Sequence, residues 1–376
     1  MEVYLDNGAT TRVCPEAAEA AVNAMTIAYG NPSSTHTKGR EAKAILDRAR
    51  GQVAAALGAR SEEIYFTSCG SESDNWALIR GAEAQKRVGK HIISSAVEHD
   101  AIRKTLEYLE QQGYEITLLK PGKEGMITPE QLRETLRPDT ALVSLMLVNN
   151  ETGAVTDIPA MRQVLKEAGS KALLHTDAVQ GFLKLPFSAK TLGADLISLS
   201  GHKIHAPKGI GALCIRSGVR LQPYIMGGGQ ENGLRSGTEA LPQIAAFGAA
   251  AEAGAKEAEE AQARMAQLRQ RCIDSVRAEA PEAVVIGGGA PHILCLSLPG
   301  YRSEVLMNYL ERKEIFVSKG SACKRGKRSH VLEAMGIPAR VIDGAIRVSL
   351  SRFTTAEEID AFVAGLLEAK RMLRSR

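Results

Sequence analysis

Ile197-Ser198-Leu199-Ser200-Gly201-His202-Lys203 runs on through Ile204-His205-Ala206-Pro207-Lys208-Gly209-Ile210-Gly211 into Ala212-Leu213-Cys214-Ile215, two apolar runs separated by a polar turn. The first run reads as a strand that stops at Ser200, Pro-Lys-Gly is a turn signal, and a lysine follows the strand within three residues. A lysine held at a strand end beside a small-molecule site would be partly buried. Burial lowers an ammonium's pKa and leaves an amine able to form a Schiff base. Taken alone, Ser-x-His-Lys fits a solvated loop lysine at least as well, so its meaning depends on what the chain places around it.

Working outward, strand and helix patterns alternate. Glu63 to Thr67, His91 to Ser95, Glu115 to Leu119, Ala141 to Val148, Ala172 to Thr176 and Ala194 to Ser200 read as strands. Between them, helical patterns cover Glu72 to Lys86, Asp100 to Gln111, Pro129 to Leu136 and Ile158 to Ala168, with two more ahead at Glu16 to Ala28 and Gly39 to Leu57. Such alternation predicts an α/β fold around a mostly parallel sheet covered on both faces, with ligands at the carboxyl ends of the strands. From Ala240 to about Ala280 the chain is rich in alanine and glutamate, and no apolar face looks wide enough for a core helix, so a connector is expected. Short strands near Ala283 to Ile286, Ile293 to Leu298, Ile315 to Ser318 and Ala345 to Leu350, with helices at Arg302 to Lys313 and Ala356 to Met372, suggest a smaller α+β domain. The expected division is 14–255 for a large domain, with 1–13 and 256–376 forming the small one.

The polar residues gather where that rule predicts. Ser68-Cys69-Gly70-Ser71-Glu72-Ser73-Asp74 follows the first sheet strand; Ser71 and Asp74 have capping-box spacing, and the free N–H groups of a helix start could hold a phosphate. Glu98-His99, Asn149-Asn150-Glu151, Asp177-Ala178-Val179-Gln180 and Ser200-Gly201-His202-Lys203 follow four other strands. Singly, Asp177 and Ser71 read as helix caps, His99 as a loop histidine and Arg352 as a surface ion pair. Jointly they supply an anion nest, an imidazole, amides, a carboxylate and a lysine. A Schiff-base lysine, a carboxylate for a pyridinium nitrogen and a phosphate cradle together specify pyridoxal phosphate.

Composition sets the frame. The 376 residues are 44% hydrophobic and 24% charged, the profile of a water-soluble globular chain long enough for two domains. Lys plus Arg (47) against Asp plus Glu (43) leaves +4, too mild to imply direct nucleic-acid binding. The start of the chain lacks a secretory pattern, and the most apolar run, Ala141 to Val148, is too short to span a bilayer, so no membrane role and a cytoplasmic location are expected. The six cysteines form no C-x-x-C pair, which suggests neither a metal site nor a disulfide framework.

With these stretches in order, the chain resembles the fold-type I pyridoxal phosphate enzymes, specifically the cysteine desulfurases of the class V aminotransferase family. The resemblance rests on Tyr4-Leu5-Asp6-Asn7-Gly8-Ala9-Thr10-Thr11, Gly30-Asn31-Pro32-Ser33-Ser34, Glu98-His99, Val148-Asn149-Asn150-Glu151 and His175-Thr176-Asp177. It continues through Ser200-Gly201-His202-Lys203, Arg235-Ser236-Gly237-Thr238 and Gly320-Ser321-Ala322-Cys323 to Ile346-Arg347-Val348-Ser349-Leu350-Ser351-Arg352-Phe353.

It implies that Lys203 holds the cofactor and moves the substrate's Cα proton, that His99 stacks on the ring and aids proton transfer, and that Asp177 pairs with the ring nitrogen. Gln180 and Asn150 would lie near the ring hydroxyl and substrate. Arg352 would clamp the substrate carboxylate. Gly70, Ser71, Ser200 and His202 would bind phosphate, joined by Thr238 from the other subunit of a homodimer. Cys323, among Lys319, Lys324, Arg325, Lys327 and Arg328, reads as an exposed thiol in a basic, glycine-bearing segment; nearby cations favour thiolate. The resemblance makes it the group that takes sulfur from L-cysteine, releases alanine and passes the sulfur on. Iron–sulfur scaffold proteins are the usual acceptors, with carriers for tRNA or thiamine sulfuration next.

Gly8 where alanine is usual, Cys69-Gly70-Ser71 where Gly-Ala-Thr or Gly-Gly-Thr is common, and Ser351 for a common glycine depart from the pattern. A class V aminotransferase would have no use for Cys323. A selenocysteine lyase, or a sulfur-relay platform inactive without its partner, would fit the same residues.

Overall fold

The computed structural model describes residues 1–319 and 328–373. In chain order these form β1 (Val3–Tyr4), α1 (Pro15–Thr26), α2 (Thr37–Leu57), β2 (Ile64–Thr67), α3 (Gly70–Ala84), β3 (His91–Ser95), α4 (Asp100–Gln111), β4 (Glu115–Leu119), α5 (Pro129–Thr135), β5 (Thr140–Ser144), α6 (Ile158–Glu167), β6 (Leu173–Asp177), α7 (Ala189–Leu192), β7 (Leu196–Ser200) and β8 (Gly211–Ile215). Then come α8 (Leu241–Lys256), α9 (Ala258–Glu279), β9 (Val284–Ile286), β10 (Ile293–Ser297), α10 (Ser303–Glu311), β11 (Ile315–Phe316), α11 (His330–Ala334), α12 (Ala339–Asp343), β12 (Ala345–Ser349) and α13 (Ala356–Met372).

The central sheet has the order β2-β8-β7-β6-β5-β3-β4 and is parallel except for β8, which runs against both neighbours. The turn from Ser200 to Ile210 is too short for a crossover helix, so β8 must return antiparallel. Period-two alternation sorts the strand residues to two covered faces. Leu142, Leu173, Leu196 and Leu213 join Trp76 and Leu78 of α3 and Ile102 of α4 on one side. Val143, Leu174, Ile197 and Cys214 join the core under α2, α6 and α8 on the other. The parallel strands therefore present their carboxyl ends, Thr67, Ser95, Ser144, Asp177 and Ser200, along one edge, and Gly211 of β8 starts there, opposite Thr67 and Ser200.

β12, β10 and β9 form an antiparallel sheet, while β1 and β11 pair in parallel. Val3 and Leu5 from the start of the chain share a second core with Met265, Leu296, Ile346 and Phe362. No helix among the described residues is long and apolar enough to cross a membrane.

Two local expectations are corrected. The alanine-rich stretch is no connector: α8 buries Ile244, Phe247, Ala250 and Ala251 and packs along α1 and α2. Small side chains do not need a wide apolar stripe, because they let helices approach closely; a Cβ on Gly248 would lie 2.7 Å from Ala49 Cα. Nor do Ser71 and Asp74 form a capping box. The N-cap of α3 is Cys69; the returning carboxylate is Glu72, which accepts from the Ser68 N–H at 2.7 Å, and Asp74 is buried.

Candidate active site

The strand ends surround a cavity of about 1000 Å³ lined by Gly70, Ser71, His99, Asn150, Asp177, Gln180, Ser200, His202 and Lys203, together with Gly8, Cys69, Asp74 and Arg347. The turn after β7 carries Lys203 under the amino-terminal segment, where its Nζ donates to the carbonyls of Gly8 (2.7 Å) and Ala9 (2.6 Å). Burial lowers its pKa to about 8, and the Arg347 charge acts in the same direction. Near neutral pH an appreciable share of this amine is unprotonated, as a nucleophile and proton carrier requires.

Asp177, the last residue of β6, accepts from the Val179 N–H at 2.9 Å, and burial holds its carboxyl above the usual carboxylate range. A buried carboxylate of this kind gains most from a cationic partner. Behind it lies a polar ladder across the sheet. His175 Nδ1 meets Ser144 Oγ at 2.9 Å, His175 Nε2 meets Ser198 Oγ at 3.0 Å, and Asp74 Oδ1 lies 3.7 Å from Nε2. Burial drives His175 down to about 3, so this imidazole is neutral. It pushes the nearby Glu98 carboxyl up to about 8; Glu98 accepts from Ser95 Oγ at 2.5 Å and Met146 N at 3.1 Å.

His99 caps α4, its Nδ1 accepting from the Ala101 N–H at 3.1 Å. That bond leaves the proton of the neutral ring on Nε2. Gln180 donates through Nε2 to the Gly8 carbonyl at 2.9 Å, and His202 Nδ1 meets Thr10 Oγ1 at 3.2 Å. Among the described residues, the buried Gln180 Oε1 and Ser200 Oγ have no hydrogen-bond partner. Orphaned polar atoms in a cavity beside the first turn of α3 mark a place where a polar ligand completes the bonding.

Two expected residues lie elsewhere. Thr238 is exposed and outside the cavity lining of this chain. Arg352 is also outside it: its Nη1 donates to Glu257 at 3.1 Å and its guanidinium lies 4.7 Å from the Phe353 ring. Cys323, like Lys324, Arg325 and Lys327, lies outside the described residues, but Lys319 and Arg328 on either side of that stretch both line the cavity.

Arg347 is the guanidinium that does reach the cavity, and sequence reasoning passed over it. It is 4% exposed, donates to the Asn150 carbonyl and to Asp6 Oδ1, both at 2.7 Å, and its Nε has no partner among the described residues. A Cβ at position 8 would sit 3.1 Å from Arg347 Cζ, so glycine there gives the guanidinium room. The available signal was a charged residue inside the apolar alternation of Ala345 to Ser349. Together these groups can bind an anion, hold a ring against an imidazole, neutralise a carboxylate with a ring cation and move a proton through an amine.

The family described as Aminotransferase class-V matches residues 3–362. The chain is 41% identical to "Cysteine desulfurase IscS" of Methanosarcina thermophila, over 99% of this chain and 93% of that protein. It is 43% identical to "Cysteine desulfurase" of Trichormus azollae over 99% and 94% of the two. Among solved structures it is similar to "NIFS-LIKE PROTEIN", with a TM-score of 0.93 and 38% identity over 99% of this chain and 100% of that one. It is also similar to "SspA in complex with cysteine", at 0.81 and 32% over 94% and 100%.

Proposed function

The chain belongs to the class V aminotransferase family and is a pyridoxal phosphate-dependent cysteine desulfurase, acting on L-cysteine; on that premise we propose how its own residues divide the work. The observation that carries the proposal is the convergence on one cavity of Lys203, Asp177, Arg347 and the unpartnered oxygens of Ser200 and Gln180. The residues fit the cofactor: Asp177 needs a cation, and Ser200 with Gly70, Ser71 and His202 offers a cradle for its phosphate. When bound, pyridoxal phosphate supplies a carbonyl for amines and a ring that draws electrons from the substrate's bonds.

Lys203 holds the cofactor and then carries the substrate's Cα proton. His99 covers the ring and shares in proton transfer, with Nε2–H as its donor. Asp177 keeps the ring nitrogen protonated, and Gln180 and Asn150 position the ring hydroxyl and substrate. Arg347, in place of the expected Arg352, receives the substrate carboxylate; its place in the cavity lining, which Arg352 does not share, supports this role. Cys323, as thiolate, attacks the substrate sulfur: an S–S bond forms on Cys323 as the Cβ–S bond breaks, the electron pair of that bond stays with the carbon side and Cβ takes up a proton, and alanine leaves. The position of Lys319 and Arg328 on the cavity wall supports that role.

We further take residues 14–255 as the cofactor-binding domain and the working unit as a cytoplasmic homodimer that brings Thr238 of one copy to the phosphate of the other. The exposed Ile225 and Met226 ahead of Thr238 support such a contact. The sulfur goes to an acceptor protein, an iron–sulfur scaffold first among the classes considered. The test is one turnover with L-cysteine, thiols trapped at once and peptides weighed. Extra sulfur on Cys323, with no alanine released by Cys323→Ser, is expected. Sulfur on Cys69 or Cys14 with Cys323 unmodified would overturn the assignment.

A further inference from the structure

Among the described residues Cys14, Cys214, Cys272 and Cys295 are buried, whereas Cys69 is not, and it lines the catalytic cavity. Nothing in the reaction as laid out above uses it. Its backbone is pinned. The extended residue (φ −174°) caps α3, its carbonyl accepts from Ser73 N at 3.2 Å and Thr67 Oγ1 at 3.1 Å, and a Cβ on Gly211 would come within 2.7 Å of its carbonyl carbon. The thiol therefore has only its own rotation with which to avoid whatever enters beside it. It lies next to Gly70 and Ser71 and shares their cavity wall with Ser200, a residue 2% exposed whose hydroxyl has no partner among the described residues. That orphaned hydroxyl is an independent sign that a polar group, one able to accept its proton, seats against this wall. The wall has no slack: a Cβ on Gly70 would meet Val179 Cγ2 at 2.9 Å and Ser200 Cβ at 3.3 Å.

We propose that Cys69 is a thiol-modification site at which a small disulfide, cystine above all, caps the phosphate cradle and controls whether the cofactor can load. The proposal rests on reading Gly70, Ser71 and Ser200 as that cradle. Cystine is the disulfide of the enzyme's own substrate, and each half carries a carboxylate to which the N–H groups of the first turn of α3 and the Ser200 hydroxyl can donate. In the exchange Cys69 gives up its thiol proton and its sulfur attacks one sulfur of cystine. The cystine S–S bond breaks, a new S–S bond joins Cys69 to one half, and the other half leaves as cysteine with the proton. A cysteinyl group tethered there takes the space and the donors that the phosphate needs. A dithiol reverses the exchange.

The experiment uses the full chain carrying Cys323→Ser, so that the sulfur-accepting cysteine does not compete. The protein is stripped of cofactor, treated with cystine, mapped by mass spectrometry and then titrated with pyridoxal phosphate by absorbance. Cys69 should carry the cysteinyl group, and cofactor binding should weaken about tenfold or more, the effect of losing one or two charge-assisted hydrogen bonds. Dithiothreitol should restore loading, protein loaded beforehand should resist modification, and added Cys69→Ser should make loading indifferent to cystine. Unchanged loading of protein with Cys69 modified would overturn the proposal alone, as would a Cys69 that cystine modifies equally fast in stripped and loaded protein, or does not modify at all. Untreated protein that takes up no cofactor would overturn the reading of the cavity and this proposal with it.

Discussion

Replacing Lys184 by methionine should relieve the folded protein more at pH 6 than at pH 9. Lys184 lies in the turn after β6, buried, and its Nζ has no partner among the described residues. Burial lowers its pKa from 10.5 to about 7, with the charges of Lys203 and Arg347 adding to the fall; His292, His205 and His202, which it in turn depresses, complete the groups around it. The folded pKa is below the unfolded one, so the unfolded chain binds the proton more tightly and stability rises with pH between about 7 and 10.5. At pH 6 the group is charged in both states and the penalty is about 5 kcal/mol, from ~1.4 kcal/mol per pKa unit. At pH 9 it is neutral when folded and only the unfolded chain stays protonated, which leaves about 2 kcal/mol. Methionine matches the lysine stem in volume, and any packing loss is the same at both pH values. Urea melts of the cofactor-free full chain, wild type and Lys184→Met, should therefore differ in ΔΔG by about 3 kcal/mol between pH 6 and pH 9, with the variant gaining at pH 6. A ΔΔG that does not change with pH would refute the reasoning.

Asp177→Asn keeps the shape of the site but removes the charge that holds the ring nitrogen protonated, so alanine formation should fall far more than bound cofactor measured by absorbance; equal losses would make Asp177 structural. Arg347→Lys should lower kcat/KM for L-cysteine about 100-fold through lost bidentate binding, mostly in KM, whereas Arg352→Lys should change it less than about threefold. The reverse order in steady-state kinetics would return the carboxylate to Arg352. Gly248→Val forces a side chain against Ala49, 2.7 Å from where its Cβ would lie, and should destabilise the α2–α8 contact by about 1–3 kcal/mol in urea melts while leaving cofactor affinity unchanged.

Much of the site was legible because its residues occupy strand ends, and a strand end is a local property. Strand runs that stop at Ser200 and Thr67, and just before Asp177, can be read in the sequence, and a parallel sheet brings their ends to one edge whatever the loops do. The stretch around Lys203 fitted a solvated loop lysine as well, and its chemistry was legible only jointly with the polar residues at the other strand ends.

What only the tertiary structure decided is which distant partners complete each group. The carbonyls of Gly8 and Ala9 that hold Lys203 lie 195 and 194 residues away in the chain, and no local period announces them. Arg347 and Arg352 are five residues apart and chemically alike. Arg347 lies within β12, where pairing with β10 and the bond to Asp6 fix its face toward the cavity. Arg352 follows the strand in a turn, closed by Thr354 Oγ1 accepting from Ser351 N, that sends it to Glu257. The burial of α8 belongs to the same class. Alanine and glycine carry too little side chain to show a face by hydrophobicity alone, and their value appears only when another helix comes close enough to use it.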